Sequence, residues 1–553
     1  MELSKRSLDS LIPEGGKLIR YTASVCPVCA EEHKYEKMVI PAVIYEKDGK
    51  VWIAKKCKEH GIVKDLYWGS AELYRKMEKY ASSGVKPENP HVKKRNIKCP
   101  LDCGLCHAHL SHTALLNIVA TNRCDLSCWY CFYYAREGGY VYEPTLEEIR
   151  FMLRTARNQK PIPVNAVQIT GGEPTVRDDI VDIVRIAREE GYEHIQFNTN
   201  GIRFSYDFEL VKKIKEAGAN VVYMSFDGVT PKTNPKNYWE ILDAIDNCRK
   251  VGLGIVLVPT VIGGYNDHEV GDMIRFAAAN IDIVRSVNFQ PISIVGRVPR
   301  KERMKMRITI PDLLEKIAEQ TDNQITPEDW FTVPASAVVS KFISALKGEP
   351  KYTLSNHFAC GIGTYVFRDG KKLIPFTRFM DIEDILNELE KYTRELQEAK
   401  IKLIKKANII LKVIRNLGKY IHEEKAPKGI NVRKAIIAAL TGGSYDSLRA
   451  FHHQSLFLGS MHFMDTYNYD VARVVRCNIH YGLPDGRVIP FCTFNVLSDM
   501  YREEGQKAFS IPAEEWEKKT GRKLKEDKYH RKISKEKRKR IEERYKKILN
   551  EMK

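Results

Sequence analysis

Between about residue 112 and residue 300, short apolar runs alternate with longer amphipathic segments. The apolar runs predict strands over Leu115–Thr121, Val164–Thr170, Glu193–Asn198, Asn220–Phe226, Gly254–Val261 and Val284–Phe289. Apolar positions at helical spacing predict the intervening helices Pro144–Arg157, Val176–Glu190, Asp207–Ala217, Tyr238–Val251 and Asp267–Ala279. Six successive strand–helix units indicate an α/β fold with a partial parallel (β/α)6 barrel. The functional residues of such barrels lie at the C-terminal ends of the strands.

The segments on both sides of this repeat follow other patterns. Residues 1–70 contain a short hairpin pattern that is too small to bury much surface, so we expect a metal-bound module there. Residues 71–111 form a connector, and the predicted barrel occupies 112–300. Beyond it we expect an α+β domain over 301–510, which includes long helices over 381–422, and a basic helical tail over 511–553.

Composition narrows the cellular setting. The chain has 553 residues, of which 43% are hydrophobic, so two to four domains are expected. No run of about 18 apolar residues predicts a membrane span, and the N-terminus lacks an apolar secretory segment, so we expect a cytoplasmic protein. The segment 401–419 is apolar on one face and basic on the other, which suits either a membrane surface or a core-packing helix.

The formal net charge is +18, and residues 517–553 carry seventeen Lys or Arg against seven Asp or Glu. A basic surface attracts nucleic acid, anionic lipid or small anions. A solvated helix with many ion pairs explains the same composition equally well. Because few aromatic residues accompany these charges, no nucleic-acid partner is expected.

Thirteen cysteines are many for a reducing compartment, and their grouping favours metal ligands over disulfides. Cys124, Cys128 and Cys131 directly follow the first predicted barrel strand. Thiolates at these spacings can bind three irons of a [4Fe–4S] cluster and leave the fourth iron open. A zinc knuckle or a disulfide pair is the alternative for this group. Cys248 stands alone in a helical pattern and is predicted to be a core residue.

Three further groups of cysteines are candidate metal sites. Cys99, Cys103 and Cys106 repeat the same spacing, which indicates a second cluster or a zinc site completed by a nearby histidine. The N-terminal module offers its own ligands, with His60 or Cys99 as the fourth, for a mononuclear iron or zinc: Cys26, Cys29 and Cys57.

Two similar hairpin patterns begin at Cys360 and Cys477, and each has an Asp-Gly turn and an Ile-Pro-Phe exit. We expect them to pair around one metal centre with Cys360, Cys477 and Cys492 as ligands. Where the second pattern has Cys492, the first has Thr377, so a fourth cysteine is missing. Isolated buried cysteines are the alternative.

The run Cys-x3-Cys-x-aromatic-Cys, with Tyr130 as the aromatic, resembles the signature of the radical S-adenosylmethionine (SAM) superfamily. The run Gly171-Gly172-Glu173-Pro174 at a later strand end strengthens the resemblance. It implies that the open iron of the cluster chelates SAM and that one electron releases a 5′-deoxyadenosyl radical.

Several residues at predicted strand ends are candidates for contacts with SAM or substrate. Gly171 and Gly172 would allow close backbone approach to the methionine end, and Glu173 would receive its ammonium. The remaining candidates, which follow later strands and suit turn or capping roles equally well, are Asn198, Asn200, Ser225, Asp227 and Ile262.

The order Cys-Pro-x-Cys…Cys-x-x-His-Gly, Cys-Pro-x-x-Cys-Gly-x-Cys and Thr-Asn-x-Cys-Asp-Leu-x-Cys resembles one subgroup of this superfamily. The subgroup includes tetraether lipid synthases and enzymes once assigned as dihydropterin methylases of methanopterin biosynthesis. The resemblance to the lipid synthases implies C–C coupling of the terminal methyl carbons of isoprenoid chains in a diether lipid, peripheral contact with an anionic membrane, and an unidentified electron donor.

The alternative activity is methylation of 7,8-dihydro-6-hydroxymethylpterin. A third alternative is a metal-stapled protein that binds nucleic acid without catalysis. The expected cofactors are SAM, the radical SAM cluster, two auxiliary [4Fe–4S] clusters and one mononuclear iron or zinc.

Overall fold

The computed structural model describes residues 5–133, 139–398, 402–428, 432–433 and 455–553. The N-terminal part is an antiparallel sheet in the order β1-β2-β3-β4, with bounds Lys17–Val25, Val39–Lys47, Lys50–Cys57 and Gly61–Trp68. Its predicted central hairpin is present. Asp48 and Gly49 at the turn both have positive φ, as the two central residues of a type I′ hairpin turn require. This sheet holds the first cysteine group.

The predicted α/β barrel is confirmed. Its six parallel strands are β5 Leu115–Thr121, β7 Ala166–Gly171, β8 His194–Thr199, β9 Val221–Ser225, β10 Gly254–Val258 and β12 Val284–Pro291. They lie side by side in that order. The short strands β6 Tyr140–Tyr142 and β11 Thr260–Val261 lie at their C-terminal side. In β7, β9 and β12, buried positions alternate with half-buried ones that line the cavity, because one face of each strand packs against helices and the other faces the barrel interior.

The C-terminal half adds strands to both edges of this sheet. β16 Ser455–Met461 runs parallel to β12, and β17 Ile479–Gly482 runs parallel to β5, so eight neighbouring strands are parallel. The other strands of this half are β13 Phe331–Thr332, β14 Gly361–Asp369, β15 Lys372–Pro375, β18 Val488–Pro490 and β19 Ser510–Pro512. The two cysteine-bearing hairpins, β14–β15 and β17–β18, therefore flank the barrel from opposite edges.

Helices surround the barrel and fill the C-terminal half. Those of the repeat are Leu146–Arg157, Ile180–Glu189, Ile202–Tyr206, Phe208–Glu216, Ile241–Val251 and Val270–Ala279. The longer helices elsewhere are Ala71–Glu78, Ile310–Gln320, Ser336–Lys347, Ile382–Gln397, Lys402–Leu417, Ala513–Thr520 and Lys535–Asn550. Short helices span Lys5–Asp9, Pro27–Glu31, Tyr35–Met38, Arg303–Met306, Val471–Val474, Phe491–Val496 and Glu504–Lys507. Among the described residues, none of these helices has the length and apolarity needed to cross a membrane.

The basic tail packs on the outside of the barrel. The ring of Tyr545 stacks on Tyr238 with centroids 4.3 Å apart, and Ile541 is buried beside it. Arg544 pairs with Asp243 and Asp246 of the barrel helix Ile241–Val251. Ion pairs with the barrel therefore neutralise part of the positive charge of the tail.

Candidate functional site

A cavity of about 1500 Å³ runs through the interior of the barrel. Cys124, Cys128 and Cys131, in the loop after β5, line its C-terminal end. Burial raises the pKa of the Cys124 and Cys128 thiols, so their thiolates need a positive partner such as iron to be stable there. The three residues lie where a parallel barrel places its chemistry, and their donor set fits an iron–sulfur cluster.

The Gly-Gly-Glu-Pro run packs against the residues that precede the cysteines. The Gly172 amide donates to the Thr121 carbonyl at 2.8 Å, and the Glu173 amide donates to the Arg123 carbonyl at 2.8 Å. A Cβ on Gly171 would lie 2.3 Å from the Thr121 oxygen, and one on Gly172 would lie 2.1 Å from the Arg123 oxygen. The glycines are thus required for close packing of two loops of the chain, a constraint that the sequence analysis did not foresee.

Glu173 is buried and connects three strand ends. Its carboxylate accepts hydrogen bonds from the Thr175 amide and hydroxyl at 3.1 and 2.7 Å, and from the Thr199 hydroxyl at 2.7 Å. The Asn200 amide completes the set at 2.7 Å. Burial raises the carboxyl's pKa, although these donors favour its charged form. The carboxylate lines the cavity beside Pro174, which begins the turn Pro174–Val176.

Asn198, near the end of β8, and Asn200, directly after it, hold the same loops. The Asn200 side chain donates to Asp125 Oδ1 at 2.6 Å, directly beside Cys124. The Asn198 amide donates to the Thr170 hydroxyl at 3.2 Å. Both asparagines and Ser225 line the cavity. They therefore occupy positions from which a molecule bound at the cluster could be contacted.

Tyr130 belongs to a buried polar group. Its hydroxyl donates to Asp227 Oδ2 at 2.5 Å, and Lys236 Nζ lies 2.8 Å from the same oxygen. Ile262 is buried against Tyr130 and, like Asp227, is not among the cavity-lining residues. Lys236 does line the cavity, and its charge faces Cys128. Lys236 could not be found from the sequence, because a single lysine in a loop belongs to no motif.

The N-terminal module brings together Cys26, Cys29, Cys57 and His60. His60 Nδ1 lies 3.5, 3.4 and 3.5 Å from the three sulfurs, and the sulfurs of Cys29 and Cys57 are 3.7 Å apart. A tetrahedral zinc with bonds of ~2.3 Å to sulfur and ~2.0 Å to nitrogen gives edges of about 3.5–3.8 Å. His60 Nε2 also faces Glu32 at 3.4 Å, an outer-shell carboxylate that would orient the ring. The four side chains therefore fit a tetrahedral metal without Cys99.

The second cysteine group is enclosed by C-terminal residues. The Cys103 amide donates to the Tyr501 hydroxyl at 3.1 Å, and the Cys103 sulfur lies 3.7 Å from the Thr493 hydroxyl. Burial raises the pKa of Cys99 to about 12, with the Cys106 thiol nearby. The structure thus places Cys99, Cys103 and Cys106 beside the hairpin β17–β18, which carries Cys477 and Cys492.

The last group does meet across the two hairpins. Cys360, Cys477 and Cys492 all line the large cavity. Burial raises the pKa of Cys477, and the neighbouring thiols of Cys492 and Cys360 raise it further. Arg473 Nε donates to the Cys360 sulfur at 3.2 Å. The cavity wall therefore carries two cysteine groups, the loop after β5 and the group shared by the two hairpins.

Comparisons with known proteins agree with this geometry. The radical SAM superfamily profile matches residues 118–277, and a profile described as the HMPTM N-terminal zinc ribbon domain matches residues 18–69. The 7,8-dihydro-6-hydroxymethylpterin dimethyltransferase of Methanocaldococcus jannaschii is 45% identical over 506 residues, which cover 90% of this chain and 97% of that protein.

Two more distant similarities cover only part of the chain. The GTP 3′,8-cyclase of Peptoclostridium acidaminophilum is 29% identical over 236 residues, 40% of this chain and 69% of the cyclase. The crystal structure of methylornithine synthase (PylB) aligns with a TM-score of 0.31 at 17% identity, over 38% of this chain and 64% of that one.

The expectation of a lipid-coupling enzyme with an isoprenoid diether lipid substrate is wrong on these comparisons, because the near full-length relative carries the name of a pterin enzyme. The cysteine motifs do not distinguish the two activities, since they specify cofactors and leave the substrate open. The radical SAM assignment itself is confirmed. The chain belongs to the radical SAM superfamily, in the family of the Methanocaldococcus jannaschii 7,8-dihydro-6-hydroxymethylpterin dimethyltransferase.

Proposed function

We propose that this protein is a radical SAM methyltransferase that acts on a reduced pterin of the 7,8-dihydro-6-hydroxymethylpterin type. The observation that carries the proposal is the 45% identity with a relative of that name over 97% of its length. A match over 90% of the chain includes the cysteine loop and both hairpins. The likeness therefore extends well beyond the superfamily domain at 118–277.

The polar lining of the barrel supports a heterocyclic substrate. A pterin presents several hydrogen-bond donors and acceptors on a flat ring, so its pocket needs amide side chains and aromatic faces. Asn117, Gln168 and Gln196 line the cavity, and Gln168 donates to Asn117 Oδ1 at 2.8 Å. Gln196 Oε1 is buried and has no hydrogen-bond partner among the described residues, so it can accept from a ligand. Tyr223 provides an aromatic ring on the same wall.

The cysteine loop would hold the cofactor that starts the reaction. When bound, a [4Fe–4S] cluster with SAM supplies a 5′-deoxyadenosyl radical that abstracts a hydrogen atom. Cys124, Cys128 and Cys131 would bind three irons, and Asn200 and Glu173 keep this loop in register with β7 and β8. Lys236, held by Asp227, places a positive charge beside Cys128. That charge favours anionic groups at this point of the cavity.

We further propose auxiliary [4Fe–4S] clusters at Cys99, Cys103 and Cys106 and at Cys360, Cys477 and Cys492. Buried thiols in groups of three favour multinuclear iron over solitary core cysteines. For the N-terminal module we propose zinc, because the three sulfurs and one nitrogen have tetrahedral edges and the matching profile is a zinc ribbon. Metal analysis by mass spectrometry of the purified protein tests this assignment: iron at this site would contradict zinc.

An isotope experiment tests the substrate directly. The anaerobically reconstituted protein is reduced and given SAM and 7,8-dihydro-6-hydroxymethylpterin deuterated at its sp³ carbons. We expect deuterium in the 5′-deoxyadenosine, because the radical takes its hydrogen atom from the bound pterin. The triple variant with alanine at Cys124, Cys128 and Cys131 is the matched control and should form no 5′-deoxyadenosine. Formation of 5′-deoxyadenosine with an archaeal diether lipid and none with the pterin would contradict the proposal.

A further inference from the structure

His462 lies directly opposite Cys360 across two strands. β14 and β16 are antiparallel with Gly361 opposite Met461, so the next pair along the ladder is Cys360 and His462. The His462 amide donates to the Cys360 carbonyl at 2.9 Å, which continues the ladder by one residue. Directly opposed residues of antiparallel strands project their side chains to the same side, with Cβ atoms ~4.5–5.5 Å apart. Cys360 ends the turn Phe358–Cys360 and His462 directly follows β16, and both residues line the cavity, so the imidazole and the thiol lie on the same wall.

The other two cysteines approach the same point. The amide of Met464, two residues beyond His462, donates to the Cys492 sulfur at 3.5 Å. Cys477 faces both Cys360 and Cys492 closely enough for electrostatic interaction between the thiols. All three cysteines and His462 line the same cavity. One nitrogen donor and three sulfur donors thus lie on the cavity wall, where the edge that carries β14 and β16 faces the edge that carries β17–β18.

The His462 imidazole makes no hydrogen bond to the described part of the chain. His462 is 1% exposed, and neither ring nitrogen has a hydrogen-bond partner among the described residues. A buried polar ring without partners is unfavourable, and a metal ion bound to one ring nitrogen would remove part of that cost. Arg473 bridges the two residues, because its guanidinium donates to the His462 carbonyl at 2.6 Å and to the Cys360 sulfur at 3.2 Å.

His480 provides a useful contrast. It is also fully buried, and both of its ring nitrogens lack partners among the described residues. Its strand neighbours Ile479 and Tyr481 line the cavity, whereas His480 is not among the lining residues and packs edge-on against His109, with centroids 5.0 Å apart. Because neighbouring residues of a strand face opposite sides, His480 points away from the cysteines.

We propose that His462 is the fourth protein ligand of an iron–sulfur cluster held by Cys360, Cys477 and Cys492. The inference rests on the auxiliary cluster proposed above and supplies the ligand that the sequence lacks at Thr377. Four protein ligands leave no iron open, so this cluster transfers electrons and does not bind substrate. Replacing a thiolate by a neutral imidazole raises the reduction potential, and the Arg473 contact with the Cys360 sulfur acts in the same direction.

The test uses the full chain with alanine at Cys124, Cys128 and Cys131, which removes the radical SAM cluster. The protein is reconstituted anaerobically and reduced without SAM, so that no nitrogen atom of SAM contributes to the spectrum. Pulsed electron paramagnetic resonance of protein labelled with ¹⁵N-histidine is the readout. We expect a strong nitrogen coupling that His462→Cys abolishes while the iron content is kept and the reduction potential falls. The coupling should persist in His480→Asn, the matched control.

A glycine variant adds a test that needs no new protein ligand. In His462→Gly the nitrogen coupling should disappear and return when imidazole is added to the solution. Absence of histidine coupling in the parent protein overturns the proposal, as does coupling that survives in His462→Cys, or iron content that is unchanged by Cys360→Ala. These results do not depend on the pterin reaction, so failure of the proposed activity is distinguishable from failure of this assignment.

Discussion

At the scale of single residues, the site depends on how closely two loops approach each other. Gly171 and Gly172 pack on the backbone of Thr121 and Arg123, next to the first cysteine of the cluster loop. The motif could be found in the sequence, but the close contact could not, because it joins residues about fifty positions apart. The same holds for Lys236 and His462, whose positions become informative only when the sheet brings them beside cysteines.

We predict that Gly172→Ala displaces the cysteine loop. The new Cβ would lie 2.1 Å from the Arg123 carbonyl oxygen, and a backbone atom cannot rotate away as a side chain can. The expected cost is about 1–3 kcal/mol of stability, with loss of iron from the radical SAM site. Iron content and thermal unfolding measure both effects. Gly254→Ala should behave like the parent, because its Cβ would meet Arg285 at 3.4 Å and the Ile283 oxygen at 4.0 Å, both ordinary contact distances. Iron content in Gly172→Ala equal to that of the parent would disprove the packing argument.

His60 supports a second prediction at this scale. Its Nδ1 lies about equally far from the sulfurs of Cys26, Cys29 and Cys57, so His60→Ala removes one of four ligands and should weaken metal binding at least tenfold. His60→Cys should retain the metal, because a thiolate also ligates zinc. Competition with a chromogenic chelator gives the affinities. The exposed His33 lies outside the ligand group, and His33→Ala is expected to leave the affinity unchanged.

At the scale of elements, the sequence predicted best what is locally repeated. Each barrel strand is an apolar run between turn residues, and all six appear within a few residues of their expected bounds. The helix expected from Val176 begins at Ile180, because Pro174–Val176 forms a separate turn under Glu173. β16 and β17 could not be assigned to the barrel edges, since their pairing with β12 and β5 joins residues more than 150 positions apart.

The segment after the helix Ala513–Thr520 acts as a strap over the cluster loop. Asp527 lies 2.9 and 3.0 Å from Arg123 Nη1, and the Tyr529 amide donates to the Asp125 carbonyl at 2.9 Å. Arg123 directly precedes Cys124, and its guanidinium is 4% exposed. The C-terminal tail therefore contacts the side chain of the residue before the first cluster ligand and the backbone of the residue after it.

We predict that Asp527→Asn loosens this strap. The substitution removes one charge partner of a buried guanidinium that keeps Glu143 at 2.8 Å, so we expect a loss of about 1–3 kcal/mol and a higher KM for SAM. Thermal unfolding and SAM-dependent 5′-deoxyadenosine formation report the two effects. Lys553→Met removes the tail's more exposed pair with Asp272 and should cost less than about 1 kcal/mol. Equal effects of the two variants would rule out a special role of the strap.

At the scale of the whole molecule, cofactor positions and substrate identity are separate questions. The cysteine groups and the barrel follow from local patterns, so they were predictable from the sequence. The substrate depends on which amides and rings line the cavity from distant strands, such as Asn117 on β5 and Gln196 on β8. The cysteine motifs alone therefore suggested a lipid substrate, whereas the near full-length identity with the Methanocaldococcus jannaschii enzyme supports the proposed pterin substrate.

The N-terminal sheet and the C-terminal half meet at a buried lysine. Lys55, on β3, is fully buried and donates to the Ser24 hydroxyl at 3.0 Å and to the Thr466 carbonyl at 2.7 Å. Burial lowers its pKa from 10.5 to about 7, although Asp465 and Asp65 oppose the shift. Between these two values the unfolded chain binds more protons at this site than the folded one. The free energy of unfolding therefore rises with pH across that window because of Lys55.

We predict that Lys55→Met removes this dependence. Below about pH 7 both states carry the proton and the lysine adds no slope, whereas above it the lysine contributes up to about 1.4 kcal/mol per pH unit until the unfolded pKa is approached. The difference in unfolding midpoint between parent and variant, measured at pH 7, 8 and 9, should change steadily in the parent's favour. Lys64→Met, at an exposed position of β4, should show a constant difference. A constant difference for Lys55→Met as well would mean that Lys55 stays protonated in the folded protein, held by the carboxylates of Asp465 and Asp65.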